Sequence, residues 1–134
     1  KNLELEITEY LFMDDVHELF DQMSSLKQNG FSIHMDDFGS AYSSLNMLRN
    51  APVDTLKIDK FFFDEIMTTE RGRIIVESSV RMAKQLGMLT IAEGVESQEQ
   101  LDFLAEIGCD IVQGYYFSRP VNIEGFEKFL REYI

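Results

Sequence analysis

The chain has 134 residues, of which 45% are hydrophobic, enough for one domain or part of one with a sizeable core. Its 12 basic and 24 acidic residues give a formal charge of -12, which argues against DNA binding through a basic surface. A small phosphorylated ligand stays compatible with this charge if metal ions supply positive charge. The single cysteine, Cys109, excludes a disulfide framework, and no apolar run approaches the roughly 20 residues of a membrane span. We therefore expect a cytoplasmic protein whose only membrane tether would lie in upstream domains.

Strand-like and helix-like hydrophobic periods alternate along the chain. The strand periods fall at residues 3–7, 31–35, 55–59, 88–92 and 110–113. Helices are predicted to follow them, the first opened by Asp14 or Asp15 and ending near 28, the second opened by Ser43 or Ser44 and ending near 50. Three more helices are predicted at about 71–86, 97–107, with Ser97 as the cap, and 123–133, with Phe126, Phe129 and Leu130 facing inward.

Five strand–helix units with crossovers of this length predict an α/β fold with a parallel sheet. A (β/α)8 barrel needs about 250 residues and eight strands. The five units therefore suit the C-terminal part of a modified (β/α)8 barrel, and we expect further chain in front of Lys1, which begins inside a strand. An open doubly wound sheet is the alternative, disfavoured because no glycine-rich phosphate turn follows the first strand.

Polar side chains gather where the predicted strands end. The residues at these ends are Glu6 and Glu9, Asp36 and Asp37, Lys57 and Asp59, Glu93 and Glu96, and Gln113. The carboxyl ends of parallel strands meet at one edge of the sheet, where active sites of such folds are built. Taken singly, each residue also has an ordinary structural explanation, such as a turn, a helix cap or an ion pair. The coincidence at one end is what predicts a site.

Lys57 is predicted to point away from the helix layer. In the segment Leu56–Asp59 the two apolar residues share one face and the two charged residues the other. A lysine on the inner face of a barrel is costly to desolvate unless acids surround it. The neighbouring strand ends supply such acids.

Oxygen donors without cysteine or histidine favour Mg²⁺ or Mn²⁺ over zinc. Adjacent acids such as Asp36 and Asp37 suit two ions about 3.5–4 Å apart, as in two-metal phosphodiester hydrolysis. His17 lies in a predicted helix and His34 in the middle of a strand, so both are interpreted as structural. A lysine beside carboxylates and Mg²⁺ also suits enolase-like proton abstraction, which these residues alone leave open.

Several segments together resemble the EAL domain, the bacterial cyclic-di-GMP phosphodiesterase family. They are Glu-Ile-Thr-Glu (6–9), Asp-Asp-Phe-Gly-Ser-Ala-Tyr-Ser-Ser-Leu (36–45), Leu-Lys-Ile-Asp-Lys (56–60), Ala-Glu-Gly-Val-Glu (92–96) and Gly-Cys-Asp-Ile-Val-Gln-Gly-Tyr-Tyr-Phe-Ser-Arg-Pro (108–120). The resemblance covers essentially the whole chain in order and spacing. It implies a modified (β/α)8 barrel that hydrolyses cyclic di-GMP to linear pGpG with Mg²⁺ or Mn²⁺.

The resemblance also implies roles for the residues at the strand ends. Glu6, Asp36 and Asp37 match metal ligands, with Asp36 shared between two ions. Lys57 matches the lysine that orients the attacking water and steadies the phosphate. Glu93 matches the glutamate that closes the metal and water shell and is a candidate general base.

Four further residues are expected to support this site. Gln113 matches a water-positioning amide, and Glu9 matches the glutamate that anchors the loop after Asp37. Glu96 and Asp59 are expected to support the ligands from the same end of the barrel. In this family, dimers form largely through the loop and the helix that follows it, which here correspond to residues 38–50.

Two departures from the family pattern bear on activity. The Glu-Ala-Leu motif, an asparagine ligand and the arginine after the motif would lie upstream of Lys1, so we expect the chain to be inactive by itself and its parent to be an enzyme. Ala41 replaces the second glycine of the loop, which costs about 1 kcal/mol if that position needs a positive φ. The alternative is a degenerate EAL domain that acts as a cyclic-di-GMP receptor or protein-interaction module.

Overall fold

The computed structural model describes residues 3–8, 16–38, 48–60 and 69–133, which form a parallel β-sheet with helices packed against it. The strands are β1 (Glu4–Thr8), β2 (Ser32–Phe38), β3 (Thr55–Ile58), β4 (Leu89–Ala92) and β5 (Ile111–Val112). Within the described residues the helices are α1 (Val16–Gln28), α2 (Glu70–Gln85), α3 (Gln98–Glu106) and α4 (Ile123–Tyr133). The predicted strands and these four helices are therefore present, with ends that differ by a few residues.

The strands lie in the sheet in the order in which they occur in the chain. Each pairs in parallel with the next, from β1 through β5. A doubly wound sheet reverses its strand order at a switch point, whereas a (β/α)8 barrel adds strands in sequence. The order among the described strands is thus that of a barrel.

One face of the sheet is buried under the helices. The larger core cluster lies on β1, β2 and β3 under α1 and α2, and includes Ile7, Met23, Ile33, Met35, Phe38, Leu56 and Ala83. A smaller cluster, on β4 and the turn after it, joins α2 to α3 through Val76, Ala92, Val95 and Leu104. Because side chains alternate along a strand, the residues between these core positions point to the opposite face. That face carries the polar strand ends.

The N-terminus of α3 confirms the predicted cap. The Ser97 hydroxyl accepts a hydrogen bond from Gln100 N at 3.2 Å, and the Gln100 side chain accepts one from Ser97 N at 3.0 Å. This reciprocal arrangement satisfies two backbone donors that the helix cannot bond internally. The caps predicted at Asp14 or Asp15 and the helix opened by Ser43 or Ser44 lie outside the described residues.

Strand β2 is longer than predicted, because it runs three residues beyond the strand period that was predicted to end at residue 35. The strand continues to Phe38 because Asp36 pairs with Thr8 on β1 and Phe38 with Ile58 on β3. The register to β3 shifts between Met35 and Phe38, and Asp37 has a positive φ of 57°. Asp36 is therefore held by strand pairing, and Asp37 lies at the irregularity that follows it within the strand.

Helix α4 also departs from the prediction. Phe126, Phe129 and Leu130 were expected to face inward, but no residue of the helix is buried and Phe126 is 54% exposed. The helix follows β5, the last strand in the described order, which has only two residues instead of the predicted four. Its apolar face therefore has too little sheet beside it to be covered.

Candidate active site

Lys57 is the centre of a charged cluster on the face of the sheet opposite the helices. Leu56 and Ile58 are completely buried in the sheet, while Lys57, between them, is 6% exposed and points to the other side. Its Nζ lies 2.6 Å from Glu6 Oε1, 2.9 Å from an oxygen of Asp36 and 3.0 Å from Glu93 Oε1. The predicted direction of Lys57 and the acids expected around it are both confirmed.

The three carboxylates come from different parts of the chain. Glu6 lies on β1 and Asp36 on β2, whereas Glu93 directly follows β4 and its backbone N–H donates to Ile58 O on β3 at 3.1 Å. Parallel pairing aligns the carboxyl ends of these strands, so residues distant in sequence meet around one ammonium. Three carboxylates and one ammonium give this cluster of four residues a formal net charge of two negative units.

The ammonium of Lys57 is stabilised in its charged form. Burial alone would lower the pKa of Lys57, but its contacts with the carboxylates of Glu6, Asp36 and Glu93 outweigh burial and raise the pKa above its usual value. Lys57 is therefore a cation throughout the physiological pH range. It can donate hydrogen bonds and attract an anion, but it cannot accept a proton as a general base.

Asp37 lies next to this cluster in an unusual backbone conformation. Aspartate tolerates the left-handed region better than most residues, which suits its φ of 57°. Burial, followed by the negative charges of Asp36 and Asp59, raises the pKa of Asp37, and the charge of Lys57 offsets this only in part. A carboxylate in these surroundings gains from any added cation.

Glu93, Glu96 and Gln113 line a second part of the site, a cavity of about 270 Å³ whose walls also include Lys60, Gly94 and Tyr115. Gln113 is exposed and shares this cavity with Glu93, as expected from their positions after β5 and β4. Glu96 forms an ion pair with Lys60. Glu96 is therefore paired with Lys60, whereas the carboxylate of Glu93 contacts Lys57.

Some of the residues considered from the sequence make no contact with Lys57 in the structure or lie outside the described residues. Glu9 lies outside the described residues, as does most of the 38–50 segment. His34 is 5% exposed and pairs in register with Glu6, and its Nε2 lies 3.8 Å from Glu4 Oε2. His17 is an exposed residue of α1.

Lys60 had no predicted role, although it belongs to the segment 56–60 that carries the resemblance. Its side chain packs against Gly94, a contact that neither residue's position in the sequence announces. A glycine directly after the strand-end Glu93 was the available signal. Glycine at such a place often marks a close approach of backbone and side chain.

The carboxylate oxygens of the cluster are of the donor type that a hard divalent cation prefers. Asp36 Oδ1 is buried and, among the described residues, accepts no hydrogen bond of favourable geometry, although the Lys57 ammonium lies 2.9 Å away. No group of three or more Asp, Glu, His or Cys side chains in the described part of the chain is arranged around one ion. The carboxylates instead surround the ammonium of Lys57.

No helix within residues 3–8, 16–38, 48–60 and 69–133 is long and apolar enough to cross a membrane.

The sheet and its charged end define a barrel-type α/β protein with a carboxylate-rich site. The family model of the EAL domain matches residues 1–120. The chain belongs to the EAL domain family, and its fold class, that of the modified (β/α)8 barrel, is as predicted.

Curated relatives match nearly the whole chain. It is 43% identical over 131 residues to the cyclic di-GMP phosphodiesterase NbdA of Pseudomonas aeruginosa, covering 98% of this chain and 17% of that protein. It is 44% identical over 130 residues to the signaling protein YkoW of Bacillus subtilis, covering 97% of this chain and 16% of that protein. The chain thus spans less than a fifth of the length of these relatives.

Solved structures show the same fold. The PaMucR phosphodiesterase in complex with cyclic di-GMP superposes with a TM-score of 0.85 at 36% identity, over 92% of this chain and 50% of that one. Klebsiella pneumoniae BlrP1, solved with cyclic di-GMP and calcium or manganese, has a TM-score of 0.79 at 32% identity, over 87% of this chain and 30% of that one. These neighbours are cyclic-di-GMP complexes, two of them with a divalent metal.

Proposed function

We propose that the protein containing this chain hydrolyses cyclic di-GMP to linear pGpG, and that the chain supplies most of the catalytic site as the C-terminal part of one EAL domain. The observation that carries the proposal is the contact of Lys57 with Glu6, Asp36 and Glu93 at the carboxyl end of a parallel sheet. The family membership and the cyclic-di-GMP complexes of its structural neighbours support this substrate.

Electrostatics support a metal-dependent reaction. The cluster around Lys57 carries two net negative charges, and Asp37 adds another when ionised, so an anionic phosphodiester would be repelled. We assign Glu6, Asp36 and Asp37 to the binding of Mg²⁺ or Mn²⁺. Such an ion would neutralise charge on the phosphate and make a nearby water more acidic. The buried Oδ1 of Asp36, which accepts no hydrogen bond of favourable geometry from the described residues, supports this assignment.

The remaining roles follow from charge and position. Lys57, held as a cation, steadies the phosphate and orients the attacking water by donating hydrogen bonds. Glu93, beside Lys57 and at the wall of the cavity, accepts the proton of that water. Gln113 lines the same cavity and holds the water through its amide. Glu96 and Asp59 support these groups, and Glu9 anchors the loop after Asp37.

Assembly and context complete the proposal. We expect a homodimer through the 38–50 segment, a cytoplasmic location for the domain, and no turnover by residues 1–134 alone, because further ligands are expected on chain upstream. Light scattering of the complete domain tests the dimer. A monomer at every concentration that supports activity would contradict it.

The test is an assay of the complete domain with cyclic di-GMP, following pGpG by chromatography in Mg²⁺, in Mn²⁺ and in a chelator. We expect turnover only with metal, and its loss in Asp37→Asn and Lys57→Met. Asp21→Asn, on the exposed face of α1, is a matched charge-removing control and should keep full activity. Full turnover by Asp37→Asn would refute the two-metal assignment. Tight binding of cyclic di-GMP without hydrolysis by the wild type would instead show the receptor alternative.

A further inference from the structure

The turn that carries Glu93 rests on the side chain of Lys60. Gly94 has a φ of +70°, and a Cβ added there would lie 2.5 Å from both Cγ and Cδ of Lys60. The aliphatic part of Lys60 therefore lies directly against the backbone of Gly94. Beyond it, the Lys60 ammonium forms an ion pair with Glu96, at the other end of the same turn. Lys60 thus contacts the turn of residues 93–96 at two points, Gly94 and Glu96.

The backbone of this turn is also tied to its neighbours. Val95 N donates to Gln113 O at 3.0 Å, and Tyr116 N donates to Val95 O at 2.9 Å. The N–H of Glu96 donates to the Gln100 side chain at 2.7 Å, which links the turn to α3. These bonds hold Val95 and Glu96, whereas Gly94, next to Glu93, has the Lys60 side chain against it.

We propose that Lys60 is a positioning residue that sets the carboxylate of Glu93 against Lys57. The inference rests on the proposed hydrolysis, because it assigns Lys60 a part in orienting the group that receives the proton. Two connections carry it. Lys60 fills the space beside Gly94 that a displaced turn would occupy, and its ion pair with Glu96 resists rotation of the turn away from β3.

The exposure of both side chains indicates that this ion pair orients the turn and adds little to the stability of the domain. The Lys60 side chain is 41% exposed and that of Glu96 is 48% exposed. Exposed ion pairs add little to the free energy of unfolding, since solvent screens them. Removing the charge should therefore leave the domain folded while allowing Glu93 to move. The same residues form the walls of the 270 Å³ cavity, so its shape should change as well.

The experiment compares Lys60→Met, Lys60→Arg and Lys60→Ala in the complete domain, measuring kcat, KM for cyclic di-GMP and the melting temperature. Lys60→Met keeps most of the aliphatic stem, and we expect about a 10-fold lower kcat, equivalent to about 1.4 kcal/mol, with KM within about twofold. Lys60→Ala, which also empties the space beside Gly94, should lose more. Lys60→Arg should recover most of kcat. Lys128→Met, on the exposed face of α4, is the matched control and should leave kcat unchanged.

A crystal structure of Lys60→Ala separates this inference from the proposed function. The separation of Glu93 Oε1 from Lys57 Nζ is 3.0 Å in the wild type and should exceed about 4 Å in the variant. An unchanged separation, or a kcat within twofold of wild type in both Lys60→Met and Lys60→Ala, would overturn the positioning role. If the wild type hydrolyses no cyclic di-GMP, the proposed function fails, and the measured separation still decides the role of Lys60.

Discussion

Lys57 Nζ lies 2.6 Å from Glu6 Oε1, although the two residues are 51 positions apart in the chain. The contact crosses β2, which lies between β1 and β3 and adds Asp36 to the same ammonium. The Lys57 ammonium thus links the ends of β1, β2 and β3, and its contact with Glu93 adds the end of β4. We therefore expect the stability of this end of the sheet and the proposed hydrolysis to depend on the same ammonium.

Replacement of Lys57 by methionine should destabilise the metal-free domain by about 2–3 kcal/mol. Removing one partner of a buried ion pair costs roughly 3–5 kcal/mol, and the half-exposed side chain of Glu6 reduces this value. Divalent cations should restore stability more strongly in the variant than in the wild type, since they can take the place of the ammonium. Urea unfolding in a chelator and in Mn²⁺ measures both effects.

The control for this prediction is Lys128→Met, which removes an exposed lysine of α4. Its unfolding free energy should match that of the wild type in both buffers. If Lys57→Met is as stable as the wild type in the chelator, the ammonium is not what holds the carboxylates together.

Replacement of Asp37 by asparagine should stabilise the metal-free domain slightly at pH 7 while abolishing hydrolysis. Asparagine also tolerates the left-handed conformation, so the substitution changes the charge and leaves the backbone as it is. The folded pKa of Asp37 is raised above 3.8, so its stabilising contribution is present below pH 3.8 and is lost as pH rises through the folded pKa. Above that pH the ionised carboxylate of Asp37 lowers the free energy of unfolding, and asparagine removes this effect.

Melting temperatures of wild type and Asp37→Asn against pH, in a chelator, test this sign. The gain from asparagine should be largest near neutral pH and should shrink on acidification. A variant that melts below the wild type at pH 7 would show that the charge of Asp37 is compensated within the fold.

Alanine at Gly114 should be poorly tolerated. A Cβ there would overlap the backbone N, C and O atoms of Val95, which cannot move without breaking the bonds that tie the Glu93 turn to β5. We expect a loss of roughly 2–4 kcal/mol in unfolding free energy and a fall in kcat, because Gln113 shifts with its neighbour.

Gly125→Ala provides the comparison, since its Cβ would lie no closer than 3.1 Å to side-chain atoms and alanine favours a helix. That variant should be neutral or slightly stabilising in the same urea titration. Equal effects of the two substitutions would mean that the contact at Val95 is relaxed in solution.

Asp110 lies at the end of the sheet opposite the site. We expect it to make the free energy of unfolding depend on pH in the acidic range. Burial would raise the pKa of Asp110, but hydrogen bonds from the hydroxyl and N–H of Thr90, at 2.7 and 2.9 Å, and the nearby Lys84 outweigh it and lower the pKa below 3.8. Its contribution is therefore present above pH 3.8 and is lost as pH falls through the folded pKa.

Asp110→Asn should thus be less stable than the wild type at pH 7, by about 1 kcal/mol, with a difference that narrows in acid. Thermal unfolding at a series of pH values measures it, with Asp102→Asn on α3 as an exposed control. A difference that does not vary with pH would attribute the loss to packing rather than to charge.

Local pattern was sufficient for much of the fold. The alternation of Leu56, Lys57 and Ile58 predicted which way the lysine points, and Ser97 predicted where α3 begins. The order of motifs predicted the family, and three of the acids that it marked, Glu6, Asp36 and Glu93, lie around Lys57. These features are encoded by neighbours in the chain, where spacing and propensity decide the conformation.

Other features depended on strand pairing and packing. Asp36 and Asp37 lie in β2 rather than in a loop because β1 and β3 extend the pairing past Met35. On α4, Phe126 is exposed and Phe129 and Leu130 are only half-buried, because the described sheet ends at β5.

The sequence by itself determined which residues are charged, which face of each strand they occupy and in what order they follow. Only the tertiary structure decided that Glu6, Asp36 and Glu93 share one ammonium and that Lys60 lies against Gly94. Such contacts join distant parts of the chain. Their distances are set by the register of parallel strands, which no local pattern specifies.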